Sequence, residues 1–381
     1  MKKIFLFLIA IFSLIIVGKA EVDLAPNSKS AILIEPTTNT IIFEKNSEEK
    51  LPPASMTKIM SMLLIMEAID NGKISLNDEV TISPNAASMG GSQVFLQAGE
   101  KYKLEELLKG VAIASGNDAV VALAEHLAGS VDKFVDLMND KAKSLGLVNT
   151  HFDNPHGLDS DNHYTTAKDM AKMAKELVKH EKILEYTSIY EYYMPKPDNS
   201  KTWLVNTNKL VRFYEGVDGL KTGFTSEAKY CLTSTAKKGN LRLITVVMGA
   251  ESSDLRSADT VNMLNTGFNS YELKTIFKKD TIIGSIKIDK AIKEKTNVYF
   301  KDDINLLLDK TKDDFKKKYT YSLKLNNVKA PVKKNTIVGK ADIIEDNKTI
   351  KTVDVIIKDD VKKASIFNYL KKNIKYLTTG L

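Results

Sequence analysis

Two side chains near the start of the chain have the types and spacing of a nucleophile and its base. Ser55 and Lys58 lie three positions apart, directly after Pro52 and Pro53. On a helix this spacing brings both side chains to one face, where an uncharged lysine amine can accept the serine proton. The N-terminus of a helix also favours an anion forming nearby. A lysine-rich chain can produce this pattern by chance, so an exposed helix start is the alternative interpretation. Further motifs are needed to distinguish a catalytic pair from such a helix start.

Two further short motifs follow in a fixed order. Ser115-Gly116-Asn117 lies 60 residues after Ser55 and just before a predicted helix, and Lys221-Thr222-Gly223 opens a predicted β run. Each motif is weak by itself. Together, Ser-x-x-Lys, Ser-x-Asn and Lys-Thr-Gly in this order are typical of enzymes that form a serine acyl intermediate. Burial and the positive charge of Lys221 would both disfavour the ammonium form of Lys58, as a lysine base requires.

With these motifs in place, the chain resembles the low-molecular-mass penicillin-binding proteins that act as D-alanyl-D-alanine carboxypeptidases. Stretches at 154–159, 163–169, 206–210 and 247–249 are also similar to that family, so the resemblance covers about residues 30–272. It implies an α+β fold, in which a β-lactamase/transpeptidase-like domain holds an antiparallel sheet flanked by helices. It also implies a small all-β sandwich domain and a C-terminal amphipathic helix.

The resemblance implies roles for the residues of the motifs. Ser55 would attack the carbonyl between two D-alanines, with Lys58 as base. Ser115 would pass a proton toward the leaving amine or hold the lysine network, and Asn117 would bond the substrate amide. The oxyanion would be bound by the backbone N–H groups of Ser55 and Phe224. The implied substrate is a peptidoglycan stem peptide ending in D-Ala-D-Ala, with β-lactams as inhibitors.

The free carboxylate of such a substrate requires a cationic site. Lys221, Thr222 and Gly223 would line the substrate's end, and Arg256 matches the family's substrate-binding arginine by its offset from residues 247–249. A guanidinium suits a carboxylate because it can donate two parallel hydrogen bonds. The alternative for Arg256 is a salt bridge on a helix surface.

Histidines in the 148–164 loop have two interpretations. His151, His156 and His163 lie close together in sequence, but their spacing matches no helical zinc pair and no cysteine assists them. We therefore expect them to shape the loop by hydrogen bonding, and we expect no metal or other cofactor. Asp118 is expected to steady the helix that follows Asn117.

Composition indicates an exported protein without disulfides. Residues 1–20 combine Lys2-Lys3, a long apolar run and a small-residue end, which predicts a cleaved signal peptide; an uncleaved anchor is the alternative. Cys231 is the sole cysteine and is expected to be a buried core thiol. The formal charge of +7 falls to +4 without the three lysines of the signal. This mild charge, with no nucleic-acid module, argues against nucleic acid as a partner.

Apolar periodicity predicts the elements that position the motifs. A hairpin is expected at 30–44, helices at 104–114, 119–127, 131–145, 165–177 and 255–268, and long β runs at 221–236 and 241–249. Strands at both ends with helices between them predict an antiparallel sheet built from distant parts of the chain.

The remainder of the chain predicts a second domain and a membrane contact. Short β runs at 281–283, 297–300, 319–325, 336–338 and 352–357 indicate an all-β unit. We therefore expect a signal at 1–20, a catalytic domain at 21–272, a β sandwich at 273–359 and an amphipathic helix at 360–381. The apolar face and lysine-rich opposite face of residues 362–377 favour a membrane surface, and packing on the β domain is the alternative.

Three rival functions remain at this stage. A serine β-lactamase of the same fold would need a loop glutamate to activate water, and residues 148–164 contain none. A D,D-endopeptidase would use the same catalytic residues in a different groove. A catalytically silent wall-binding protein is disfavoured because all three motifs are intact.

Overall fold

The computed structural model describes residues 22–293 and 295–368. Its helices are α1 Lys58–Asp70, α2 Pro84–Ala87, α3 Leu104–Ala114, α4 Asn117–Ala128, α5 Val131–Ser144, α6 Ala167–Leu177, α7 Glu181–Thr187, α8 Leu210–Phe213 and α9 Ser253–Ser270. Its strands are β1 Ser30–Glu35, β2 Thr40–Lys45, β3 Glu79–Thr81, β4 Lys101–Lys103, β5 Glu191–Pro195, β6 Lys201–Val205, β7 Val217–Thr225, β8 Lys229–Lys238, β9 Leu241–Ala250, β10 Tyr271–Phe277, β11 Gly284–Asp289, β12 Lys295–Phe300, β13 Ile304–Asp309, β14 Tyr319–Leu325, β15 Val328–Lys329, β16 Ile337–Glu345 and β17 Lys348–Ile356.

An antiparallel five-stranded sheet organises the first domain. Its order is β2-β1-β9-β8-β7, so the N-terminal hairpin pairs with strands that lie about 200 residues later. Alternate residues of β1 face opposite cores: Ile32 and Ile34 pack among the helices α1 and α6, whereas Ala31 and Leu33 pack toward α9. The predicted sheet built from distant parts of the chain is confirmed.

Helix α1 is the centre of the helical layer. Nine of its thirteen residues are buried, which explains why its sequence is apolar on nearly every side. The predicted helices at 104–114, 119–127 and 131–145 correspond to α3, α4 and α5 within two residues. Cys231 is a buried free thiol in this core, as predicted, and desolvation raises its pKa to about 11.

The predicted single β run at 221–236 is wrong. Residues 226–228 form a turn that divides it into β7 and β8, which then pair with each other, and β7 begins earlier, at Val217. This turn has none of the glycine or proline signals that mark a hairpin, because it is closed by a side chain: Thr225 Oγ1 accepts the backbone N–H of Ala228 at 3.0 Å.

The second unit is the predicted small all-β domain, but some of its strands differ from the predicted ones. Its six-stranded sheet has the order β14-β16-β17-β12-β11-β15, and β10 pairs with β13 in a separate two-stranded sheet. The rings of Phe277, Phe300 and Tyr321 contact one another and join the two sheets. The predicted strand at 281–283 is absent, and β10 and β13 were not predicted. Strand β10 also crosses the expected boundary between residues 272 and 273.

The predicted signal peptide and the predicted membrane-surface helix lie at the two ends of the chain. The predicted signal at 1–20 and residues 369–381 of the predicted terminal helix lie outside the described residues. Residues 366–368 are helical, and the side chains of Ile366 and Phe367 are 78 % and 81 % exposed. Across the described ranges, no helix is both long enough and apolar enough to span a bilayer.

Candidate active site

Ser55 lies on a 3₁₀ turn that leads into α1, not on the α-helix itself. The turn spans Ala54–Thr57, and Lys58 is the first residue of α1. Residues three apart eclipse one another in a 3₁₀ turn, so the spacing still brings the two side chains together. Lys58 Nζ lies 2.9 Å from Ser55 Oγ. This distance meets the requirement of roughly 3 Å for a base and its nucleophile.

The Lys58 amine is fully buried and has no acidic partner within salt-bridge distance in the described chain. Its other neighbours are Asn117 Oδ1 and the carbonyl oxygen of His156, both at 2.7 Å. Desolvation lowers the pKa of Lys58 well below its usual range, the charge of Lys221 lowers it further, and Asp118 opposes the shift. An uncharged amine has two hydrogens, which these two oxygens accept. Its lone pair is then free to take the proton of Ser55.

The junction between α3 and α4 carries the second motif. Ser115 ends α3 with a left-handed φ of +66°, and its Oγ is buried without a hydrogen-bond partner in the described chain. Asn117 opens α4, and its Nδ2 donates to the Gly90 carbonyl at 2.7 Å. The side chain of Asn117 therefore supports the Lys58 amine in this structure. Its expected bond to the substrate amide stays a prediction.

Asp118 steadies the segment beside this junction. Its carboxylate accepts backbone N–H groups of Val94, Leu96 and Ala119 at 2.9 to 3.1 Å. The charge is thus satisfied by backbone donors away from the Lys58 amine. The expectation that Asp118 serves the following helix is correct only for the bond to Ala119, because its other bonds hold the preceding loop.

Strand β7 brings the third motif against the nucleophile. A Cβ on Gly223 would lie 2.8 Å from the carbonyl oxygen of Pro53 and 3.3 Å from the backbone nitrogen of Met56. Only a glycine allows β7 to approach the 3₁₀ turn this closely. The next residue along β7 is Phe224, whose backbone N–H is the expected second oxyanion donor and whose ring is half exposed.

Two cations lie along the same strand end. Lys221 is buried, with Nζ bonded to the Thr222 carbonyl oxygen at 3.0 Å, and burial together with the Arg256 charge lowers the pKa of Lys221 to about 7. Arg256, from α9, makes no ion pair in the described chain, and its Nε is buried without a hydrogen-bond partner. The alternative of a surface salt bridge is therefore absent. Thr222 Oγ1 bonds Thr207 Oγ1 at 2.7 Å.

The 148–164 loop supports the turn from beneath. Gly157 has a φ of +90°, and a Cβ there would overlap the carbonyl oxygen of Ala54. His163 Nδ1 accepts the backbone N–H of Asp153, so its Nε2 carries the hydrogen and donates to Thr57 Oγ1 at 2.7 Å. Thr57 Oγ1 in turn donates to the Ala54 carbonyl at 2.8 Å. The expected loop-shaping role of the histidines agrees with these contacts.

These groups surround an open cleft of about 290 Å³. The cleft is lined by Ser55, Ser92, Ser115, Thr207, Lys209, Thr222, Gly223, Phe224, Tyr230, Ser253, Asp254, Arg256 and Ser257. Lys58, Asn117 and Lys221 are buried behind this lining. The described residues contain no group of three or more side chains that could hold a metal ion.

Sequence reasoning missed several of these contributors. The His156 carbonyl holds Lys58 through a backbone atom, which no residue type reveals. Ser92 and Thr207 line the cleft although neither belongs to the three motifs. For Thr207 a signal existed, because it lies in one of the stretches that carry the family resemblance.

The arrangement defines a serine acyl-transfer enzyme. The Ser55 hydroxyl contacts a buried amine whose pKa is lowered well below its usual range, and the cleft that Ser55 faces is lined by Arg256, which could bind an anion. No step of such chemistry requires a cofactor. Comparisons with known proteins give the family.

The chain belongs to the D-alanyl-D-alanine carboxypeptidase family, whose model matches residues 18–252, and a penicillin-binding protein 5 C-terminal domain model matches residues 271–363. It is 47 % identical to D-alanyl-D-alanine carboxypeptidase DacF of Bacillus subtilis (94 % of this chain, 92 % of the relative). It is 34 % identical to DacC of Escherichia coli (90 % and 86 %). The structure is similar to penicillin-binding protein 5 from Haemophilus influenzae (TM-score 0.76, 31 % identity, 88 % of this chain and 98 % of that one).

Replacing Gly157 with alanine should misplace the nucleophile. The new Cβ would overlap the Ala54 carbonyl, so the turn carrying Ser55 must move, and we expect penicillin acylation to slow by at least about tenfold, since sub-ångström misplacement of reacting groups is costly. Acylation rates from stopped-flow mass spectrometry measure this. Gly146→Ala is the matched control: its φ is +66°, but no atom lies within 4 Å of the place its new Cβ would take. Equal rates in the two variants would contradict the close contact.

Binding of carboxylate ligands should weaken as pH rises through about 7. Below this value Lys221 is charged and attracts the ligand; above it the amine is neutral and this attraction is lost. From about pH 6 to pH 8 the charged fraction falls roughly tenfold, so the affinity due to Lys221 should fall by up to about that factor. The dissociation constant of the first, reversible penicillin complex measures the effect. Lys221→Gln should abolish this pH dependence, and a wild-type affinity that does not change with pH would refute it.

Proposed function

We propose that this chain removes the terminal D-alanine from peptidoglycan stem pentapeptides through an acyl-enzyme on Ser55. One observation carries the proposal: the fully buried Lys58 amine lies 2.9 Å from Ser55 Oγ and has no acidic partner in the described chain. In a family of D-alanyl-D-alanine carboxypeptidases, such a pair suits attack on the peptide bond between two D-alanines.

The reaction proceeds in two halves. Lys58 takes the proton of Ser55 as Oγ attacks the carbonyl carbon, and the backbone N–H groups of Ser55 and Phe224 stabilise the oxyanion. The C–N bond then breaks, and the proton that Lys58 holds passes through Ser115 to the leaving nitrogen, so that D-alanine departs and Lys58 is again neutral. Water attacks the resulting ester, with Lys58 again as base, to release the shortened peptide and restore the Ser55 hydroxyl. Ser115 suits its role because its Oγ has no protein partner in the described chain.

The substrate's terminal carboxylate binds at Arg256, with Lys221, Thr222 and Gly223 forming the adjoining wall. This assignment is supported by the position of Arg256 in the cleft lining and by its lack of any ion pair in the described chain. Penicillins carry a carboxylate beside their reactive carbonyl, and the same site accounts for acylation by them. Asn117 holds the Lys58 amine and reaches the substrate amide with its remaining amide hydrogen.

We further propose where the enzyme works. The signal at 1–20 directs export, and the helix at 360–381 rests on the outer face of the cytoplasmic membrane, with the β domain holding the catalytic domain of residues 21–272 away from it. The exposed Ile366 and Phe367 support this attachment, since side chains that packed on the β domain would be covered.

Ser55→Ala should abolish both the penicillin adduct and D-alanine release. In the variant, removal of the hydroxyl alone eliminates the covalent step. The wild-type protein should release D-alanine from a pentapeptide stem and leave a cross-linked dimer intact. Mass spectrometry of the adduct and a D-alanine assay measure both results. Ser144→Ala, at an exposed serine outside the cleft, is the control. Cleavage of the dimer without D-alanine release would instead establish an endopeptidase, and penicillin hydrolysis at a high rate a β-lactamase.

Deleting residues 366–381 should release the protein from membranes without unfolding it. The cut follows Ser365 because Val361 and Ala364 are buried in the β domain and must be kept. Sedimentation with anionic phospholipid vesicles measures the attachment, and thermal unfolding checks the fold. Replacing Ile366 and Phe367 with serine should weaken vesicle binding in the full chain. Unchanged vesicle binding in the deleted chain would refute the anchor.

A further inference from the structure

Several exposed aromatic side chains of the catalytic domain lie on the β5–β6 hairpin, beside segments that contact it, or in the cleft. Between residues 22 and 293, the aromatic side chains classed as exposed are Phe95, Tyr193, Trp203, Phe213 and Phe224. Tyr193 and Trp203 lie on the hairpin formed by β5 and β6, Phe224 lines the cleft, and the other two contact segments joined to the hairpin. Isolated exposed rings are common, but rings gathered beside an active-site cleft indicate a binding surface.

The inner face of the β5–β6 hairpin is firmly held by the domain. Met194 and Leu204 are buried in the helical core, and the Tyr192 hydroxyl donates to Glu106 of α3 at 2.6 Å. Successive residues of a strand point to opposite sides, so this packing fixes which residues face solvent. Packing of the inner face therefore makes the opposite face of the hairpin point to solvent.

That outer face presents two aromatic rings side by side. Tyr193 and Trp203 are direct partners in the antiparallel register and are 59 % and 58 % exposed. Cross-strand partners have Cβ atoms about 5 Å apart, so the two side chains leave the same face of the hairpin as neighbours. In the described chain, neither ring contacts another aromatic ring or a cation, and the indole N–H has no hydrogen-bond partner. We call Tyr193 and Trp203 the aromatic strip.

Two segments connect the hairpin with the catalytic cleft. Lys196, just past the end of β5, donates to the Phe95 carbonyl oxygen at 3.3 Å, and Phe95 is 63 % exposed and lies three residues after Ser92 of the cleft. At the other side, β6 ends two residues before Thr207, which lines the cleft and bonds Thr222. Trp203 is four residues from Thr207, a span of at most about 14 Å.

We propose that the aromatic strip binds the glycan strand of the substrate, a chain of N-acetylated pyranose sugars. The proposal rests on the proposed function, since the stem peptide is attached to that strand. Four stem residues separate the sugar from the carbonyl that Ser55 attacks, and they span at most about 14 Å when extended. This length equals the maximum span from Trp203 to Thr207 of the cleft lining, so a bound stem can carry its sugar toward the hairpin.

The chemistry of the strip suits a sugar. The face of a pyranose ring carries C–H bonds with partial positive charge, which pack on the negative face of an aromatic ring. The free indole N–H can donate to an N-acetyl carbonyl oxygen. The hairpin tip carries only two lysines, Lys196 and Lys201, together with Asp198. An anionic membrane would instead require a basic cluster, so a lipid surface is disfavoured.

Trp203 is the only tryptophan of the chain, so its fluorescence reports directly on the strip. We expect soluble glycan chains stripped of stem peptides to shift the emission of the full-length protein to shorter wavelength, with saturation. Tyr193→Ala should weaken this binding, whereas Phe367→Ala, at an exposed aromatic of the C-terminal segment, should leave it unchanged. An absent shift, or one produced only by anionic vesicles, would overturn the proposal.

Kinetics separate this proposal from the proposed function. Trp203→Ala should raise the KM for a glycan-linked pentapeptide by about 3- to 10-fold, the range expected for loss of one aromatic contact, and leave a free pentapeptide unchanged. Trp203→Phe should restore most of the affinity. If both substrates change equally, or neither does, the strip has no part in glycan binding although the carboxypeptidase assignment stands. If the wild type cleaves neither substrate, the proposed function fails, and the fluorescence titration still decides the strip.

Discussion

The site depends on keeping one lysine amine uncharged inside the protein. Taking an ammonium group out of water costs several kcal/mol even after the protein relaxes, and an opposite charge is the partner that offsets this cost best. Here Lys58 has only neutral acceptors at hydrogen-bonding distance: a hydroxyl, an amide oxygen and a carbonyl oxygen. The nearest influential carboxylate, Asp118, is engaged by backbone N–H groups. Burial, and then the charge of Lys221, therefore favour the neutral amine, and a neutral amine next to a serine hydroxyl is a base.

This requirement explains why three remote parts of the chain converge. Neutral acceptors must come from α4 and from the 154–158 loop, while the positive neighbour comes from β7. The close approaches are made by backbone atoms at Gly157 and Gly223, where any side chain would separate the elements. The antiparallel sheet supplies the rigid edge for β7, and the buried α1 supplies the platform for Lys58. Packing of the fold thus has a direct chemical consequence, since a looser site would admit water and restore the charge on Lys58.

Much of this could be predicted from residue types, and the remainder involves interactions that residue types do not encode. The closeness of the motif residues could be predicted because the spacing and order of the motifs can be read from the sequence. The long helices could be predicted from apolar periodicity. The division of residues 221–236 was missed because its turn is closed by the Thr225 hydroxyl instead of a glycine or proline. The role of the His156 carbonyl was missed because every residue has a carbonyl. The position of Ser55 on a 3₁₀ turn was also unforeseen, because a 3₁₀ turn and the first turn of an α-helix differ by one residue in hydrogen-bond spacing.

The basic side chains at the cleft affect one another's pKa values, and an anionic ligand bound beside them changes these effects. Burial, and then the charge of Arg256, lower the pKa of Lys221 to about 7. Burial, and then the charge of Lys221, lower the pKa of Lys58. A carboxylate bound beside Arg256 neutralises the repulsion on Lys221 and favours its charged form. The negative charge of the same carboxylate acts on Lys58 in the opposite direction, so the low pKa of Lys58 continues to depend on its burial, which is the largest cause of the shift.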